Sequence, residues 1–242
     1  MPLAKLQVRL LALTPNPLSL IYASFRQCYS PGYVGELWPR LLSGEVSLEE
    51  QARFISDILE SGHHSPIEHV SFTFAVEGIS RALTHQLVRH RLASYSQQSQ
   101  RYVNESGFEY VLPPRIANIP EAKELFERCM KDAAETYGRL RELLQTRGRK
   151  GAQANEDARF VLPQAAESKI VITMNCRSLL HFFALRCCER AQWEIRGLAN
   201  EMLAVCRREL PVVFQASGPR CEALKFCPEG ERFTCGRYPR KS

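Results

Sequence analysis

A chain of 242 residues with 45% apolar and 24% charged content can fill one substantial core or two small ones, and a single main domain is expected. Its net charge of +6 and pI near 8.9 suit binding of phosphorylated small molecules, but the excess is too modest to require a nucleic-acid partner. Nine cysteines, an odd number with Cys187 and Cys188 adjacent, exclude an evident disulfide framework, while Lys5, Arg9, Pro15 and Pro17 break up the apolar N-terminal stretch; a cytoplasmic protein with no membrane span is expected.

In chain order, Leu6, Val8 and Leu10 alternate with Gln7 and Arg9 as in a half-buried strand. Asn16 before Pro17 predicts a capped helix through Leu20, Ile21 and Phe25, and the Gly- and Pro-rich residues 30–45 predict a loop. Ser47 and Glu50 form a capping box for a helix carrying Ala52, Ile55, Ile58 and Leu59 up to Gly62. His63, His64, Glu68 and His69 invite a metal reading, but Ser65 stands where an inverted zincin needs histidine. Ser65 is instead expected to cap a short helix opened by Pro66, and no metal is called for.

Val70, Phe72, Phe74 and Val76 predict a strand ended by Gly78, followed by a helix that Ser80 caps and that delivers Arg89, His90 and Arg91 at its C-terminal end. Phe108, Tyr110 and Leu112 predict another strand, Pro120 opens a long helix to about Gly148, and a short helix stopped by Pro163 contains Arg159. A strand through Ile170, Ile172 and Met174 exits at Asn175, Cys176 and Arg177 into an apolar helix holding Arg186, and a last helix runs from Trp193 towards Pro211. Residues 1–217 are expected to form the catalytic domain and 218–242 a polar tail; its Cys221, Cys227 and Cys235 lack the paired Cys-x-x-Cys spacing of a zinc knuckle. The expected fold is α+β, a largely antiparallel sheet with packed helices. It is not a Rossmann fold, because no Gly-x-Gly-x-x-Gly follows a strand.

The chemistry concentrates between residues 86 and 101. Arg89, His90 and Arg91 side by side suit either a facing anion or, equally, a solvated basic face favoured by the helix dipole, and Gln97, Gln98, Ser99 and Arg101 add hydrogen-bonding groups suited to phosphate and pyrimidine edges. Arg186, a charge among Phe and Leu, is expensive unless it has a partner, either a ligand or an internal carboxylate such as Glu189 or Glu194. The same arginines could serve a phosphate- or RNA-binding module, although few aromatics interleave them.

Arg-His-Arg followed by seven residues and Ser99 resembles the signature of the flavin-dependent thymidylate synthases. Gly62 to His69, Arg159 to Pro163, Asn175 to Ser178, Leu185 with Arg186, and Ala191 to Glu194 resemble further blocks of that family in the same order. The resemblance implies FAD held by His63, Ser65, Arg89, His90, Arg91, Gln97, Asn175, Cys176, Arg177 and His181. It implies dUMP held by Gln86, Leu87, Val88, Arg89, Gln97, Gln98, Ser99, Gln100, Arg101, Arg159 and Arg186. Arg186 would be the catalytic residue, stabilising negative charge at the pyrimidine N3. The implied reaction is reductive methylation of dUMP to dTMP, with 5,10-methylenetetrahydrofolate as carbon donor and NADPH as reductant, in a homotetramer with shared active sites. Gln97 and His181 depart from the family pattern, where glutamate and asparagine are common.

Overall fold

The computed structural model describes residues 1–240, so Lys241 and Ser242 of the expected tail lie outside the described residues. In chain order the elements are β1 (Gln7–Leu13), α1 (Pro17–Tyr29), α2 (Val34–Leu42), α3 (Leu48–Glu60), β2 (Ser71–Ser80), α4 (Arg81–Leu87), β3 (Ser94–Gln97), α5 (Pro114–Ala117) and α6 (Pro120–Thr146). They continue with α7 (Ala152–Ala158), β4 (Glu167–Asn175), α8 (Cys176–Arg186), α9 (Trp193–Glu209), α10 (Pro211–Phe214) and α11 (Arg220–Leu224). The strands form one sheet in the order β1-β2-β4-β3. Thr73 bonds Thr173 while Gly78 bonds Glu167, so numbers rise on β2 as they fall on β4, the register of an antiparallel pair. The α+β, non-Rossmann expectation holds.

The chain divides into two compact units. One comprises Met1–Gln7, Ala75–Arg89 and Tyr95–Val171; the other comprises Val8–Phe74, His90–Ser94 and the chain from Ile172 on. Within the first, Phe108, Tyr110, Met130 and Ala166 form a buried cluster against Phe126, Ala133 and Leu162. The long α6 supplies that wall from one face while its other face carries exposed Lys and Glu. Within the second unit, Phe72 packs edge-on against Phe214 with centroids 5.7 Å apart, and Phe183 closes on Phe214 at 6.0 Å. In the same unit Cys221 and Cys227 are buried.

Several expectations are corrected. Residues 34–42, read as loop, form α2: Val34, Leu37, Trp38 and Leu41 recur at helical spacing, a signal outweighed in the reading by Gly35 and Pro39. Gly78 does not end β2, which runs to Ser80; there Gly78 has φ +72°, its N–H donates to Glu167 Oε1 at 2.9 Å, and a Cβ would run into the Lys5 carbonyl. In the stretch 108–112, Phe108 and Tyr110 are buried and Glu109 exposed as the alternation predicts, but Val111 is buried and Leu112 only half-buried; the stretch pairs through isolated bridges of Tyr110 to Leu3 and Ala166, and the short β3 was not expected. Asn16 opens α1 from the left-handed region (φ 49°), and its carbonyl, not its side chain, accepts from Leu20 N. Ser65 is the first residue of a 3-10 helix rather than its cap. The caps at Ser47, Ser80 and Asn175 form as side-chain acceptors for Glu50, Leu83 and Ser178 N–H groups at 2.9–3.1 Å.

Candidate active site

In the first unit, α4 begins where Ser80 Oγ takes the Leu83 N–H, and it presents Thr84 and Leu87 inward with Gln86 half-buried. Leu87 is fully buried, so only its backbone is on offer, and its carbonyl accepts from the Tyr95 hydroxyl at 2.9 Å. Burial pushes that phenol up to about 12 and keeps it a donor. Val88 and Arg89 follow exposed, with Arg89 Nε donating to the His85 carbonyl at 3.3 Å.

On β3, the Gln97 amide nitrogen donates to Ser168 Oγ at 2.8 Å and Thr84 Oγ1 at 3.2 Å. Both N–H groups are spent on the protein, so what Gln97 can offer a ligand is its carbonyl oxygen, an acceptor like the carboxylate common at this position in the resembled family. Gln98 N donates to the Lys169 carbonyl at 2.8 Å, which docks the next stretch. Ser99 Oγ accepts from Arg101 N at 3.2 Å, and its carbonyl accepts from the N–H groups of Tyr102 and Val103. Gln100 Nε2 is buried without a hydrogen-bond partner among the described residues, an orphaned donor of the kind a bound acceptor satisfies.

The arginines of this unit gather round Glu156: Arg101 Nε lies 2.6 Å from its carboxylate and Arg159 Nε donates to its carbonyl at 3.3 Å. Arg81 belongs with them, its guanidinium shifted down by burial and then by Arg159. Arg81 is not among the residues expected from the sequence, although a cation in the first turn of a helix opposes the helix dipole and so signals an anion nearby. Behind them, Glu105 is shifted up by burial and then by Glu167, which accepts from Lys169 Nζ at 3.0 Å.

In the second unit, α8 carries His181, Phe182 and Arg186. Arg186 Nε donates to His90 Nε2 at 3.0 Å, Phe182 packs edge-on against His90 with centroids 4.9 Å apart, and the His181 ring lies 6.2 Å away. Burial, then Arg186, then His181 lower the His90 pKa to about 4, so His90 is neutral at pH 7 and its Nε2 can accept. Upstream, Asn175 Oδ1 is committed to capping α8, and Cys176 is fully buried with its thiol pushed up by desolvation. Cys176 is therefore no free side-chain ligand, and of the Asn175 side chain the amide nitrogen is what a ligand could use. Exposed Arg177 lies 3.9 Å from Glu68, and Arg91 is exposed. His63 sits in a chain of hydrogen bonds, Nδ1 to Tyr29 Oη at 2.6 Å and Nε2 to Ser65 Oγ at 3.0 Å, with Phe25 edge-on to its ring. Tyr29 is a second residue the sequence did not disclose, because its partner lies 34 positions away.

This second donor set of imidazoles, guanidiniums and a helix N-terminus fits an anionic, ring-bearing cofactor. Among the described residues no group of three or more His, Cys, Asp or Glu side chains is placed to hold a metal ion.

A four-stranded α+β sheet whose surroundings offer arginines and imidazoles, with no glycine-rich phosphate loop, defines a class of nucleotide-binding enzyme outside the Rossmann group. The fold is shared with a solved structure, a UMP/dUMP methylase PolB from Streptomyces cacaoi bound with 5-Br dUMP, at a TM-score of 0.69 and 24% identity over 89% of this chain and 96% of that one. A family model described as thymidylate synthase complementing protein matches residues 9–212. Over 239 residues the chain is 65% identical to a flavin-dependent thymidylate synthase of Nitratidesulfovibrio vulgaris, covering 99% of this chain and 98% of the relative. The Clostridium tetani flavin-dependent thymidylate synthase is 46% identical, with 96% and 93% covered. The chain belongs to the flavin-dependent thymidylate synthase family.

Proposed function

We propose that the protein reductively methylates dUMP to dTMP, using FAD, NADPH and 5,10-methylenetetrahydrofolate. The observation that carries this reading is the whole-length match to relatives bearing that name. The chemistry FAD supplies when bound is hydride transfer, with the hydride taken from NADPH. Every other task falls to side chains.

His63, Ser65, Arg91, Arg177, His181 and His90, with the backbone at Asn175 and Cys176, would hold the flavin. Arg89 and Gln97 complete that set. Arg101 and Arg159, with Ser99 and the exposed Arg89, supply cations and a hydroxyl for the dUMP phosphate. Buried Gln100 Nε2 and the Gln97 carbonyl supply one donor and one acceptor for the pyrimidine edge. Gln86, Val88 and Gln98, with the Leu87 backbone, line the same stretch. Arg186 would stabilise negative charge on the pyrimidine at N3. Its partner His90 is neutral, so that hydrogen bond orients the guanidinium without cancelling its charge. The protein would work as a cytoplasmic homotetramer with shared active sites. No helix of the described residues is long and apolar enough to cross a membrane.

The test is the visible spectrum of the purified protein together with NADPH oxidation and dTMP formation. A yellow protein that makes dTMP only when dUMP and methylenetetrahydrofolate are both present is the expected result. Protein that cannot be reconstituted with FAD, or that forms no dTMP, overturns the proposal.

A further inference from the structure

The second unit holds a cavity of about 380 Å³ lined by Arg26, Ser30, Tyr33, Glu36, Leu37 and Arg40, among others. None of these residues has a task in the reaction just described. Helix α1 ties the cavity to His63. Phe25 and Tyr29, one turn apart, both pack against that ring, with centroids 5.5 Å away in each case. Arg26 and Ser30, each the next residue along, form the neighbouring stripe of the same stretch and line the cavity. The cavity therefore lies one step round α1 from the side that packs on His63, the residue assigned above to the flavin that the carbon donor must approach.

The rim is braced: Gln27 spans the turn by accepting from Val34 N at 3.0 Å, and Gly32 N donates to Ser30 Oγ at 3.2 Å. Arg26 is steadied over the Phe54 ring at 5.7 Å. Arg40 is held by Glu45 at 2.5 Å, but both side chains are more than half exposed, and an ion pair of that kind is readily exchanged for another carboxylate. Arg26 and Arg40 outnumber Glu36, and Tyr33 adds an exposed aromatic face. The volume lies at the low end of the roughly 300–1,000 Å³ of small-molecule sites, so it suits an extension of a ligand better than a whole co-substrate.

We propose that this cavity binds the glutamate tail of the folate carbon donor, with Arg26 and Arg40 pairing the tail carboxylates and Tyr33 flanking the chain. This rests on the folate reading of the preceding section. The cavity thereby sets a preference for donors carrying several glutamates.

Titration calorimetry on the FAD- and dUMP-loaded protein, using tetrahydrofolate with one or with three glutamates, tests it. The triglutamate form is expected to bind about tenfold more tightly, the size of one charge-assisted hydrogen bond. Arg26→Ala combined with Arg40→Ala is expected to erase that difference while leaving monoglutamate affinity within about twofold. Arg53→Ala, which removes an exposed cation of α3, is expected to keep the difference. Equal affinity of the two forms for the parent protein overturns the tail site and leaves the folate reading standing. Binding of neither form by protein that binds dUMP overturns the folate reading, and the tail site with it. Binding of free γ-linked triglutamate as tight as that of the folate conjugate makes the cavity a site for free polycarboxylates and overturns the proposal.

Discussion

The polar centres of the two units meet the same requirement by opposite means. In the first, groups are matched by charge and hydrogen bond: buried Glu167 takes both the half-exposed Lys169 and the Gly78 N–H, the exposed Arg101 takes Glu156, and Gln97 takes Ser168 and Thr84. In the second, a guanidinium sits against an imidazole that desolvation and its neighbours keep uncharged. Matching charges fixes positions, and where cations exceed carboxylates, as Arg81, Arg101 and Arg159 do around Glu156, it leaves positive charge over. Suppressing a charge fixes positions without setting a counter-charge of its own against the cation it holds. A centre of the first kind suits holding an anion in register, and one of the second kind suits meeting charge that appears during a reaction.

The widest gap between the two centres is expected on turnover. Arg186→Ala should lower dTMP formation by about 100- to 1,000-fold, the usual effect of removing a positioned charge-stabilising donor, whereas Arg149→Ala, in an exposed turn, should stay within about twofold. Steady-state kinetics on both variants decides it, and equal rates would reduce Arg186 to an internal structural partner. Next in size is stability at the matched centre. Glu167→Ala strands the Gly78 N–H, while the half-exposed Lys169 ammonium returns to water, and should cost about 1–3 kcal/mol in denaturant unfolding, more than any exposed pair such as Lys131 with Glu135.

A smaller separation is expected in the pH response. His90 has a folded pKa below its unfolded value, so its contribution to stability is complete above about pH 6.5 and is lost as pH falls towards about 4. An NMR titration should find His90 neutral through pH 5, with its midpoint rising in Arg186→Ala. A His90 midpoint already near 6.5 in the parent protein would refute the suppressed-charge account. The smallest effect is expected at Ser99, whose neighbours in sequence include no base to activate it as a nucleophile. Ser99→Ala should weaken dUMP binding by about 0.5–1.5 kcal/mol and leave synthase activity measurable. A covalent uracil adduct on Ser99, found by mass spectrometry, would contradict this.

What the sequence disclosed were features whose cause is local. Ser47 and Ser80 cap helices because the group each satisfies lies three residues on. The alternation at Phe72, Phe74 and Val76 reports burial directly. Helix α2 was hidden because Gly35 and Pro39 are breakers by composition, yet Pro39 is tolerated among apolar residues at helical spacing. The stretch around Tyr110 was misread because alternation reports a buried face and not a partner strand. Long-range partners such as Tyr29 for His63 and Ser168 for Gln97 leave no periodic trace, so the candidate site was legible as a set of residues but not as two centres. Nor does any shift in composition mark the boundaries of the two units, which fall within all four strands and directly after Arg89.

Gly78 carries a consequence for how this gene can drift. The strand position demands a positive φ, and the space a methyl group would fill belongs to the Lys5 carbonyl, so even the smallest replacement must displace backbone. Each single-nucleotide change that alters the amino acid at this codon therefore meets the same steric refusal. The site should stand invariant in a mutational library while its neighbours Glu77 and Ile79 exchange with residues of like character.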